Sequence, residues 1–117
     1  RGEHMKKIHI VKENREFNRL IQNMKPVKYK NFIAYIEKGT SPVYQFGFSV
    51  GKKVGNAVVR NRVKRQLKSI LDENDYQNNF KCIIIVRKGI LNQSFQEMRE
   101  DLNRLIEKLD ITKGINQ

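Results

Sequence analysis

Apolar positions recur along this chain in two rhythms, one helical and one alternating, and the change-overs between them delimit the elements. Phe17, Leu20, Ile21 and Met24 fall at i, i+3, i+4 and i+7, the spacing of one helix face. The pattern predicts a short helix from Lys12, capped by Asn14, with Glu16 in its first turn and Pro26 as its stop. Val27 to Glu37 reads as extended chain with a change of phase near Asn31. Beyond the turn residues Gly39, Ser41 and Pro42, Tyr44, Phe46, Phe48 and Val50 alternate with Gln45, Gly47 and Ser49, the period of a half-buried strand. These two stretches predict a hairpin that feeds into a second helix.

In that second helix, Asn56 offers the cap, and Val59, Val63, Leu67 and Ile70 share a stripe with Leu71 at its edge. Asp72 to Asn79 is polar and suits a loop. Lys81 to Val86 is a short β-branched run, apolar on both faces, as an interior strand requires. Ser94 and Glu97 form a capping box ahead of Phe95, Met98, Leu102, Leu105, Ile106 and Leu109, which repeat at helical spacing. Residues 1–4, just before Met5, read as a cloning scar, 5–112 as one domain and 113–117 as a frayed tail. The order α-β-β-(β)-α-β-α predicts an α+β fold. In it, helices pack on one face of a small mixed sheet of three to four strands, and the other face is left open.

Charge changes the picture from fold to partner. The 117 residues carry a formal charge of +12. Between Gly51 and Leu71 stand Lys52, Lys53, Arg60, Arg62, Lys64, Arg65 and Lys68, with no acidic residue among them. Arg60, Lys64 and Lys68 form an i, i+4, i+8 row, and like charges at that spacing repel by about a few tenths of a kcal/mol per pair. Solvated helix faces normally interleave both signs, so this one fits a polyanionic partner, nucleic acid foremost. Tyr and Phe beside Lys and Arg on an open sheet suit single-stranded nucleic acid, where bases stack on rings and phosphates meet cations.

Other chemistries are thinly represented. No apolar run approaches the ~20 residues that span a bilayer, so no membrane partner is expected. Cys82 is the lone cysteine and adjoins the apolar run Ile83 to Val86, which fits a core position and, with no secretory segment, a cytoplasmic protein. One cysteine and two histidines without ligand spacing predict no metal site in the protein, and Asp72, Glu73 and Asp75 read as a solvated flank. There is no Gly-rich phosphate loop followed by Lys-Ser/Thr and no Ser/His/Asp set, so no catalytic residue is expected.

The segment from Phe48 to Arg65, FSVGKKVGNAVVRNRVKR, resembles the signature of the bacterial ribonuclease P protein subunit, whose hallmark is the run Arg60-Asn61-Arg62. The likeness extends more loosely to Glu16-Phe17, Phe32 to Tyr35, Ile83 to Arg87 and the last helix. It implies the protein subunit of a ribonucleoprotein endonuclease that removes the 5′ leader of precursor tRNA. Hydrolysis would be performed by the RNA subunit with Mg²⁺ bound mainly by RNA. The implied partners are ribonuclease P RNA and precursor tRNA, with no protein partner required.

By position, the resemblance implies that Lys53, Asn56, Arg60, Asn61, Arg62, Lys64, Arg65 and Lys68 meet the catalytic RNA. Phe17 and Tyr35 would line a cleft for the leader, bordered by Lys52, Arg87 and Lys88. It also implies a left-handed β-α-β crossover, although general topology favours the right-handed form in about 98% of cases. Ile21 stands where the family often has a second aromatic, and Gly51 where it commonly has Ser. Two other classes share the charge. A ribosomal-type RNA-binding protein would bind without changing a cleavage rate, and a DNA-binding module would set a helix in a major groove with sequence preference.

Overall fold

A strand that is apolar on both faces must be covered on both, and here that strand is the last of four. The computed structural model describes residues 5–113. In chain order its elements are α1 (Asn14–Asn23), β1 (Val27–Tyr29), β2 (Phe32–Lys38), β3 (Tyr44–Val50), α2 (Ala57–Leu71), β4 (Phe80–Val86) and α3 (Phe95–Leu109). Short 3-10 turns cover Lys7–His9 and Lys88–Asn92. The sheet order is β1-β2-β4-β3. β4 pairs antiparallel with β2 and parallel with β3, giving the four-stranded mixed sheet.

The hairpin expected between β2 and β3 is not formed, because β4 lies between them. Ile83 of β4 is in register with Tyr35 on one side and Gly47 on the other. A parallel β3–β4 pair needs a crossover connection, and α2 supplies it. The hairpin that does form joins β1 and β2 through Lys30 and Asn31, with Lys30 at a left-handed φ of 53°. The phase change expected near Asn31 is this turn.

The second correction concerns the sheet's faces. Phe80, Cys82, Ile84 and Val86 point into the main core with Phe32, Ala34, Phe46 and Phe48, under α2 and α3. Ile83 points the other way, into a small core with Val11 and Leu20, against which Phe17, Met24 and Tyr35 pack. Helix α1 therefore covers part of the face expected to be open. Its boundaries differ too. Glu13 is the N-cap residue and makes no side-chain cap, Asn14 is already helical, and the helix ends at Asn23. Met24 is extended, two residues ahead of Pro26, in keeping with the bias of the chain before proline away from helix.

The other two helices start as their sequences require. Asn56 Oδ1 accepts from the Val59 N–H at 3.0 Å. Ser94 Oγ accepts from the Glu97 N–H at 3.1 Å, and Glu97 Oε1 from the Ser94 N–H at 2.8 Å. Val63, Leu67, Ile70 and Leu71 bury the inner stripe of α2. At the far end, Lys113 N–H still donates to Asp75 O at 2.9 Å. The scar expected at residues 1–4, and positions 114–117 of the expected tail, lie outside the described residues.

Helix α1 is held differently. Only Leu20 is buried along it. Arg19 bridges Glu37 of β2 at 2.7 Å and Glu16 at 2.8 Å, while Lys81 of β4 reaches Glu16 at 2.7 Å. Beside this network, a Cβ on Gly47 would lie 2.7 Å from Phe17 Cζ and 2.8 Å from Ile83 Cδ1. A glycine in β3 is what lets the Phe17 ring settle against the strand backbone.

The network gives stability a pH dependence. Hydrogen bonds from Arg19, then from Lys81, lower the Glu16 carboxyl from 4.5 to about 2, and Arg19 then Thr40 hold Glu37 below its usual range. Both carboxyls are depressed in the folded state, so their contribution is present above an unfolded-state pKa of about 4.5 and is lost as pH falls toward about 2. We expect the urea midpoint to fall with pH across that window, and to fall less steeply in Glu16→Gln. An identical pH dependence in the variant would rule the network out as its source.

Candidate nucleic-acid interface

The basic segment begins where β3 leaves the sheet. Val54, 3% exposed, pins the turn from below and donates its N–H to Gly51 O at 3.0 Å, which leaves Lys52 and Lys53 in solvent. The Arg60 Nε–H folds back to Gly55 O at 3.1 Å, so one member of the Arg-Asn-Arg run also braces the turn. Asn56 is exposed and spends its side-chain oxygen on the cap, keeping its amide N–H groups free to donate outward.

Because Val63, Leu67 and Ile70 fix the rotation of α2, its polar residues sort onto two surfaces. Asn61, Arg62 and Arg65 are exposed, while Arg60, Lys64 and Lys68 are half-buried. Lys64 and Lys68 form one wall of a groove of about 680 Å³. Phe17 and Ile21 of α1 form another wall, with Ser49 of β3 and Val11 and Lys12 of the preceding segment completing it. An aromatic ring and two ammonium groups thus share one groove, the combination that receives a base and its phosphates.

Of the residues predicted from sequence, Phe17, Lys64 and Lys68 are brought together here. Tyr35 lies one strand beyond Ile83 and packs into the small core beneath α1 instead of lining the groove. Arg87 and Lys88 follow Val86, which pairs with Val50, so they emerge at the same end of the sheet as Lys52 and Lys53. Sequence reasoning did not single out Lys12 or Ser49. Ser49 had a signal, since it alternates with the core residues Phe48 and Val50 and so belongs to the opposite face.

Among the described residues, no three His, Cys, Asp or Glu side chains converge to hold a metal ion, and no helix is long and apolar enough to cross a membrane. Burial pushes the Cys82 thiol well above its usual range, so it is an inert core group.

Comparison with known proteins places this geometry. The family profile described as Ribonuclease P matches residues 5–110. The ribonuclease P protein component of Mycoplasma mobile is 39% identical, over 90% of this chain and 93% of its own length. That of Bacillus cereus is 36% identical, over 89% and 93%. The RNase P protein of Staphylococcus aureus superposes with a TM-score of 0.79 at 22% identity, over 90% of this chain and 98% of that one. The Thermotoga maritima RNase P protein gives 0.74 at 24% identity, over 84% and 94%. These two structures share the fold, and the family profile with the sequence relatives settles membership: the chain belongs to the ribonuclease P protein family.

Proposed function

We propose that this chain is the RNA-binding protein subunit of the tRNA-processing enzyme and makes two contacts through two surfaces. Lys53, Asn56, Arg60, Asn61, Arg62 and Arg65, on the turn and the outward side of α2, meet ribonuclease P RNA. The groove takes the single-stranded 5′ leader of precursor tRNA, with Phe17 against a base and with Lys64 and Lys68, which the resemblance gives to the catalytic RNA, turned instead to leader phosphates because they line the groove. Lys52, Arg87 and Lys88 border that path, with Tyr35 packed beneath α1 beside it.

The observation that carries this reading is the groove itself, which sets Phe17 across from Lys64 and Lys68. Base stacking on a ring tolerates any sequence, since every base has a π-face, and so suits leaders of varied sequence. Ile21, one turn on from Phe17, adds an apolar wall but no second ring. In this reading the Mg²⁺ of the enzyme and the hydrolysis both belong to the RNA, and the protein raises affinity for substrate.

The primary test is cleavage of a 5′-extended precursor tRNA by a bacterial ribonuclease P RNA at low Mg²⁺. Adding the protein should raise the rate at the correct 5′ junction. Binding without any change in rate would favour the ribosomal-type reading. Replacing Arg60 and Arg62 by Ala should weaken RNA binding and flatten its salt dependence by roughly one unit of slope per lost phosphate contact. An unaltered slope would exclude direct phosphate contact by this pair. Phe17→Ala should spare assembly with the RNA and cost about 1–3 kcal/mol in affinity for substrates that carry a leader. Equal weakening of leaderless tRNA would defeat that assignment.

A further inference from the structure

The apolar stripe of α3 runs out past the core it serves. Met98, Leu102 and Leu105 are buried, and Phe95 extends that face by one turn toward the start of the helix. Phe95 is nevertheless 42% exposed, and Leu91, four residues earlier in the 3-10 turn Lys88–Asn92, is 48% exposed. Ile90 and Met98, on either side of the pair, are buried in the main core, so Leu91 and Phe95 overhang its rim. Isolated exposed apolar residues are ordinary. Among the described residues, however, the large exposed ones are Ile8, Leu91, Phe95 and Val58, the last in the first turn of α2. Three of these four lie at the end of the sheet where Lys52, Lys53, Arg87 and Lys88 emerge.

The pair is also held still. Gly89 lets the Asn31 side chain close on the 3-10 turn, where a Cβ would collide with it. Asn31 Nδ2–H donates to Gln93 Oε1 at 3.1 Å, and Gln93 Nε2–H to Asp101 Oδ2 at 2.6 Å. Gln93 stands midway between Leu91 and Phe95, so both sit on a frame tied to the β1–β2 turn and to α3. A preformed frame has little conformational freedom to lose on binding.

Charge and position identify what covers the pair. Residues 82–96 contain no Asp or Glu, and within them Arg87 and Lys88 are exposed. The next acids, Glu97, Glu100 and Asp101, accept hydrogen bonds from the Ser94 N–H, Gln96 and Gln93. A ring and a leucine beside cations fit an unpaired nucleotide, whose base lies on apolar surface while its phosphates meet positive charge. The patch is on the side of the sheet that carries α2, across the sheet from Phe17. Helix α3 lies beside α2: Arg99 donates to Glu73 at 2.8 Å and Asn74 to Asn103 at 3.2 Å, just past the end of α2. The nucleic acid that meets α2 is therefore the one within reach.

We infer that Phe95, with Leu91, is a stacking platform for an unpaired base of ribonuclease P RNA, carrying the contact made by α2 onto the start of α3. The inference rests on the proposed contact of α2 with that RNA. It adds the feature recognised: a base turned out of a loop or bulge, because a base within a duplex hides its faces in the stack.

The test measures affinity of a bacterial ribonuclease P RNA for wild type, Phe95→Ala, Phe95→Leu and Phe95→Tyr over a range of salt, with chemical probing of the unpaired bases in each complex. Phe95→Ala and Phe95→Leu should lower affinity by roughly 5- to 100-fold, the worth of one stacked base. The slope of log affinity against log salt should stay as in wild type, because no phosphate contact is lost. Phe95→Leu keeps an apolar side chain on the rim, so it removes the ring without unfolding the helix. Phe95→Tyr should restore most of the affinity. At least one unpaired base protected by wild type should become reactive with Phe95→Ala. Wild-type affinity in Phe95→Leu, a loss confined to precursor tRNA with a leader, or a loss with no change in base reactivity would each overturn the inference. Replacing Arg60 and Arg62 by Ala separates the two readings. If that pair leaves RNA binding intact, the assignment of α2 has failed; if it weakens binding while the Phe95 variants do not, only the extension onto α3 has failed.

Discussion

The two-sided burial of β4 is the constraint on which the rest depends. Phe80, Cys82, Ile84 and Val86 feed one core and Ile83 the other, so the strand cannot lie at an edge. It takes β2 on one side and β3 on the other. The short stretch 39–43 carries the chain from β2 past β4 to β3, and the parallel pairing of β3 with β4 leaves α2 as the connection between those two. The helix that carries the cations is therefore also the helix that closes the fold. Its inner residues, Val63, Leu67, Ile70 and Leu71, fix the rotation that turns the basic residues outward.

The same packing sets an electrostatic problem that the protein does not solve internally. Residues 46–71 contain seven cations and no acid, whereas the acids among the described residues lie elsewhere, near α1, at the opposite end of the sheet and along α3. Folding gathers Lys52 and Lys53 with Arg87 and Lys88 at one end, since Val50 and Val86 are paired. Like charges brought together this way destabilise the compact state modestly and favour any polyanion that binds there. The surface that costs the free protein most is the surface proposed to meet RNA. Because the cost is Coulombic, added salt relieves it in the free protein while weakening the complex.

Much of this was legible in the sequence, and the exceptions share a cause. Asn56, Ser94 and Glu97 are local capping signals, and they act where their spacing puts them. The apolar run of β4 marks an interior strand because its composition reports burial on both faces. Which strands flank it is a non-local choice. The alternation in β3 was visible, but nothing within β2 or β3 shows that a strand thirty residues away inserts between them, so sequence neighbours were paired by default. The apolar face of α1 was read correctly, yet the face of the sheet it meets depends on Gly47, whose missing side chain makes room for Phe17. Asn14 has the right chemistry for a cap but sits one residue inside the helix, with Glu13 in the capping position.

The two surfaces also differ in how firmly the fold holds them. Helix α2 is anchored by four buried apolar residues, and their dispersion contacts are indifferent to salt. Helix α1 has one, Leu20, together with an ion network whose side chains remain between 17% and 35% exposed. Partly exposed pairs are screened and individually weak, so α1 is the softer wall. Arg19 compensates by joining α1 to β2 through Glu37 while Glu16 joins it to β4 through Lys81, two directions of restraint on the residue that follows Glu16. That residue is Phe17. A ring carried between these polar links and seated over a glycine has its depth set against β3. Were that ring to stack on leaders of different sequence, as proposed, its fixed depth would let it meet purines and pyrimidines alike without rebuilding the core beneath it.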